Sequence, residues 1–263
     1  MAAGMGEGSG QDASLLFYKQ IEALSSERHS SLGISEIGNP FSFLSSTHLV
    51  PLTVDEFITA AISYPIIFDS ESKLPLAVMG MRPGDNVFFG ADGKIDPEVY
   101  IPAFARRYPF FTAAAPPQAG EEPRTVVCID RKAPMIMEGA QTPFFADGQP
   151  SQYTQNAIEF CRQFDGLMQR TSEFVRLCDQ HGLFELTPIN IQTGEENGQP
   201  VVQRIGEYLR VSDQKLKGLP RETYLELRDR GVDGVVYAHL VSQGNWSKIL
   251  ARTAKLQQSI PFG

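Results

Sequence analysis

Cys128 stands two residues before Asp130 in TVVCID, and His239 lies near the other end of the chain in VVYAHL. A thiol beside a histidine base is a nucleophile for hydrolysis or group transfer, and an Asp–His pair is a general base. TVVCID and VDGVVYAHL both read as strands, so this chemistry requires the two strands to be neighbours. The plainer reading makes Cys128 a small residue of the core. No GxSxG elbow is present, and GISEIG at 33–38 has the wrong spacing.

A second chemistry is carried by YIPAFARRYPFF at 100–111, which sets Arg106 and Arg107 among Tyr100, Phe104, Tyr108, Phe110 and Phe111. A guanidinium is always charged, so inside a fold it must be paired, stacked or exposed. Paired, the arginines hold Asp55, Asp69 or Asp130 as internal scaffolding. Stacked on Tyr100 or Tyr108, they offer a donor fork to a carboxylate of a peptide or small ligand. Neighbours on a helix diverge by about 100°, which lets one arginine serve each purpose.

Metal chemistry has no local signature. His29, His48, His181 and His239 are scattered, and Cys128, Cys161 and Cys178 form no CxxC, so neither a metal site nor a cofactor is expected. Three cysteines without a framework suit reduced thiols in a cytoplasmic chain. The start MAAGMGEGSG has neither a basic nor an apolar stretch, so no signal peptide is expected, nor is a membrane span.

The elements that must position these residues follow from the pattern. The chain has 263 residues, 42% of them hydrophobic, enough for a sizeable core, and a net charge of -8 that argues against nucleic-acid partners. Residues 1–13 read as a disordered tail. TVDE at 53–56 is a capping box for a helix that must end near Tyr64, before Pro65. Ile66–Phe68, LPLAVMGM and NVFFG read as strands, the last closed by a turn at 91–94. TAAAPPQAGEEPR at 112–124 reads as a loop.

PFFADGQP holds an Asp-Gly turn, and Ser151 is an N-cap for a helical region over 152–181 that Gly166 is expected to break and Gly182 to end. INIQTG and PVVQRIGEYLRV flank Asn197-Gly198 as a hairpin. A short helix near 221–230 and strand VDGVVYAHL follow. The final helix, capped by Asn245, turns Trp246, Ile249 and Leu250 one way and Lys248, Arg252 and Lys255 another, a basic face that is solvated or docks an acidic partner. The sum is an α+β fold with mixed or antiparallel sheets, packed helices and a C-terminal helix. It is one domain over 14–263, or two subdomains, 14–112 and 125–263, joined by the loop 113–124.

Taken together, HLVPL (48–52), EFITAAISYPIIF (56–68), NVFFGADG, YIPAFARRYPF (100–110), VCID (127–130) and YAHLVS (237–242) resemble the SapC family of bacterial proteins over about residues 48–250. The resemblance implies association with bacterial surface-layer systems, and with neighbours such as TonB-dependent receptors, halogenase-like flavoproteins and cupin-type oxygenases. It supplies no catalytic set. The matching positions Pro51, Glu56, Tyr64, Pro65, Arg106, Arg107, Tyr108, Pro109, Asp130 and His239 carry no assigned role.

The sequence therefore points to a non-catalytic binding or accessory protein of a surface or uptake system with a peptide or protein partner. Tyr100, Arg106, Arg107, Tyr108, Asp130, His239 and Trp246 are its candidate contacts. The competing expectation is an enzyme or enzyme subunit using Cys128 or an Asp–His pair, such as a hydrolase, a transferase or the partner of an oxygenase or flavoprotein.

Overall fold

The computed structural model describes residues 16–115, 125–196 and 199–259. The tail expected at 1–13, most of the loop 113–124 and the Asn197-Gly198 turn lie outside the described residues.

The chain begins with β1 (Ile21–Ala23), α1 (Ser26–His29), β2 (Leu32–Ile34) and β3 (Leu49–Pro51). The capping box forms as TVDE predicts, with Thr53 N–H donating to Glu56 Oε2 at 2.9 Å. One 3-10 turn, Val54–Glu56, leads into α2 (Phe57–Ala60), which ends short of Pro65. Next come β4 (Ile66–Phe68) and β5 (Pro75–Val78).

NVFFG is not a strand: among the described residues its one ladder contact is a single bridge, Phe89 to Ile95. The buried Asn86 amide accepts from Phe88 N–H at 3.0 Å and donates to the Leu44 carbonyl at 2.9 Å. An asparagine that bonds its own backbone two residues on offers the chain a turn in place of a ladder.

After α3 (Ala103–Arg106) run β6 (Phe110–Ala114), β7 (Thr125–Asp130), β8 (Ile136–Glu138) and β9 (Thr142–Pro143). The hairpin of β10 (Phe145–Ala146) and β11 (Gln149–Pro150) turns at Asp147-Gly148, where φ is 50° and 74°. With both central residues left-handed this is the primed turn that Asp-Gly favours.

α4 (Gln152–Gln180) is one helix of 29 residues, capped by Ser151 and ended by Gly182 at φ 62°. Gly166 does not break it. A mid-helix glycine costs only about 1 kcal/mol against alanine, and the buried Cys161, Phe164, Thr171, Phe174, Leu177 and Cys178 hold the helix on both sides of it. The long hairpin β12 (Phe184–Glu196) and β13 (Gln199–Val211) follows, then α5 (Asp213–Lys217) and α6 (Arg221–Asp229).

VDGVVYAHL, expected as a strand, forms α7 (Val232–Ser242). An apolar run of this length carries neither period cleanly, so pattern alone cannot separate a buried strand from a buried helix. Context decides: Gly231 at φ 73° starts the helix, and Val232, Val236 and His239 bury one side of it. A 3-10 turn, Gln243–Asn245, joins it to α8 (Trp246–Ser259). Asn245, expected as the α8 cap, sits in that turn and donates its amide to the Ala61 carbonyl at 2.6 Å.

The fold is α+β, and every strand pairing among the described residues is antiparallel. The order is β1-β7-β6 in one sheet, β8-β2-β9 in a second and β12-β13-β4-β5-β3 in a third, with β10-β11 apart. Strands from before and after residues 113–124 share all three larger sheets. The core is dense in rings: Phe68 meets Phe57, Phe174 and Phe184, while Phe17 meets Phe43, Phe104 and Tyr108.

Candidate functional site

The arginine pair closes α3, and the helical turn sends its two guanidinium groups apart. Arg106 is exposed; Arg107 is 7% exposed. Arg107 lies between the rings of Phe104 and Phe164, 4.5 and 4.6 Å from their centroids. Burial pushes the Tyr18 hydroxyl well up, and the Arg107 guanidinium beside it works in the opposite sense. Arg107 is thus part of the packing.

Arg106 is held from three directions. Its Nε donates to the Ile101 carbonyl at 3.0 Å and one terminal nitrogen to the Tyr100 hydroxyl at 3.1 Å. Its guanidinium lies 5.8 Å from the Tyr100 ring and 5.4 Å from Phe160. Tyr100 in turn donates to Glu56 Oε1 at 2.9 Å. Among the described residues Arg106 makes no ion pair, and its exposed guanidinium, oriented by these contacts, keeps N–H donors beyond the two spent on Ile101 and Tyr100.

None of the carboxylates expected to hold the pair does so. Asp55 pairs with Arg170 at 2.8 Å, and Asp69 caps its own loop by accepting from Ser72 N–H at 2.7 Å. Asp130, fully buried, accepts from Lys19 N–H, Gln20 N–H, Lys132 N–H and the Tyr108 hydroxyl, at 2.9 to 3.1 Å. These bonds tie the first strand to the turn that follows Arg107, where the Tyr108–Pro109 peptide is cis. Burial and the Asp130 carboxylate together push the Tyr108 hydroxyl far up. Tyr108 and Asp130 are therefore fixed to each other and to backbone.

Sequence reasoning gave Glu56 a role only as half of a capping box. The carboxylate also accepts from Ala103 N–H at 2.6 Å and from Tyr100, so one buried acid joins the start of α2 to the start of α3. The Thr53-x-x-Glu56 signal could find the cap; only the fold brings α3 to it.

His239 and Trp246 belong to a different cluster. His239 Nε2 accepts from Val211 N–H at 3.2 Å, and its ring stands edge-on to Phe68 at 5.1 Å. Burial, then the nearby Arg210 charge, lowers its pKa to about 3, so it is neutral. Trp246 Nε1 donates to Gln243 Oε1 at 3.2 Å and its ring meets Tyr208 at 5.1 Å.

His239 is on α7 rather than a strand, against β4 and β13, whereas Cys128 is on β7 between Phe111 and Ala23 of its neighbours. The thiol–histidine and Asp–His pairings that required adjacent strands are not assembled. Burial pushes the Cys128 thiol up, away from thiolate, and Cys161 and Cys178 up to about 11 and about 12. On the closing helix, Arg252 meets Asp96 at 2.7 Å and lies over Phe88, so the expected basic face of α8 is in part an internal contact.

Among the described residues no group of three His, Cys, Asp or Glu is placed to hold a metal ion, and no helix is long and apolar enough to cross a membrane. A family model, SapC, matches residues 24–249, and the chain belongs to the SapC family. Neither a curated protein nor a solved structure gives a significant match.

Proposed function

We propose that this SapC-family chain is a non-catalytic binding or accessory protein of a bacterial surface or outer-membrane uptake system, engaging an acidic group of a peptide or protein partner through Arg106. The observation that carries the reading is the Arg106 guanidinium: exposed, aligned by Tyr100 and Phe160, and without a carboxylate among the described residues. An oriented arginine loses little freedom on meeting a carboxylate, and its planar fork makes two parallel bonds to one. The neutral, backbone-bound His239 and the raised Cys128 thiol support a binding role over a catalytic one.

The test is capture from an extract of the source bacterium with the wild-type chain, Arg106→Ala and Arg106→Lys as baits. Arg106→Ala is expected to weaken capture about tenfold or more, the scale of one charge-assisted hydrogen bond. Arg106→Lys keeps the charge without the fork and is expected to recover only part. Equal capture by all three baits removes Arg106 from the reading, and turnover of a peptide or glycan by the purified chain alone overturns it.

A further inference from the structure

Helix α7 has no polar side. Its inner face buries Val232, Val236 and His239, yet its outer face carries Tyr237 and Val241, the latter 71% exposed. Beside it α2 and the turn after it expose Ile58 (75%) and Ile62 (71%). Between these elements runs a groove lined by Ile58, Ala61, Gly234, Tyr237, Ala238 and Val241, with no charged side chain in it. A helix apolar all round belongs in an interior, and four large exposed apolar side chains side by side mark an interaction surface.

We propose that this face is a twofold interface between two copies of the chain, with the α7 helices packed antiparallel. The patch contains its own complement. Gly234 and Val241 are seven residues apart, two helical turns, and so share a face. A twofold axis passing between Tyr237 and Ala238 sets Val241 of each copy over Gly234 of the other. A side-chain carbon built on Gly234 meets nothing within 4 Å, so the hollow is open to receive it. The same patch on both subunits, self-complementary, is what a closed dimer requires.

The charges at its two ends match in the same orientation. Asp233 lies in the first turn of α7, and Lys248 lies past its other end with Nζ on the Ile62 carbonyl at 3.0 Å. Neither is in an ion pair among the described residues, whereas Lys217, near Tyr237, is tied to Asp213 at 3.0 Å. Antiparallel pairing brings Asp233 of each copy toward Lys248 of the other; parallel pairing sets like charges together. This surface is separate from Arg106, and neither reading depends on the other.

Light scattering on the full chain after size exclusion is expected to give twice the 29.0 kDa chain mass. Val241→Glu, on an exposed position, is expected to give monomer with an unchanged far-ultraviolet spectrum, and Ile62→Lys to do the same. Asp233→Lys and Lys248→Asp are each expected to weaken the dimer about tenfold, and the double variant to restore it, as a swapped charge pair must. Ala238→Cys is expected to cross-link the dimer on mild oxidation. A wild-type monomer at all concentrations, a dimer indifferent to Val241→Glu, or a double charge variant as weak as the single ones overturns the proposal.

Discussion

Glu56 shows how one buried side chain can hold several elements. Its two oxygens accept from Thr53 N–H, the Thr53 hydroxyl, the Tyr100 hydroxyl and Ala103 N–H. Truncation leaves the buried Thr53 and Ala103 donors without their acceptor. Glu56→Ala is expected to destabilise the fold by roughly 3 kcal/mol, the scale of several unsatisfied buried groups, read as a lower midpoint in urea. Glu56→Gln keeps an acceptor oxygen and is expected to cost less. Because Tyr100 also receives Arg106, Glu56→Ala loosens the Arg106 platform as well, which separates its effect from that of a variant acting on stability alone.

Among elements, α4 gives the sharpest test. Gly166 is helical, and a methyl group added to it meets nothing within 4 Å. Gly166→Ala is therefore expected to stabilise the protein by about 0.5–1 kcal/mol through the lower entropy of the unfolded chain, seen as a higher denaturation midpoint. A true helix break at this position would give the opposite sign. Several element ends made by a local bond or turn were legible: Ser151, the TVDE box, Asp147-Gly148 and Gly182 all act where the sequence puts them, whereas the local Ser25 and Ser212 caps were not read. NVFFG and VDGVVYAHL were not legible in this way. In the first, the buried Asn86 amide competes with the ladder; in the second, apolar residues on every side leave no period to read.

At the scale of the molecule, the acid limb of stability follows from His239. Its folded pKa of about 3 lies below its ordinary value of 6.5, so between these the unfolded chain takes up a proton that the folded one refuses. The contribution is complete above about pH 6.5, declines as pH falls toward 3, and is lost through the folded pKa. Urea midpoints between pH 7 and pH 4 are expected to fall, and His239→Gln, which keeps an acceptor for Val211 N–H, to flatten that fall. A slope unchanged by His239→Gln would mean that other groups set it.

The sequence by itself determined the α+β class, the element ends marked by a local cap or turn such as Ser151 and Gly182, the family and the segment holding the arginine pair, because these depend on contacts a few residues apart or on a string of matching residues. Only the tertiary structure separated Arg106, on the surface, from Arg107, between Phe104 and Phe164, and gave Asp130 to backbone and Tyr108. Charge and stacking permit either arginine either fate; which one is buried depends on where α4 brings Phe160 and Phe164 against α3. That placement rests on contacts more than fifty residues apart in the chain, and no local pattern records them.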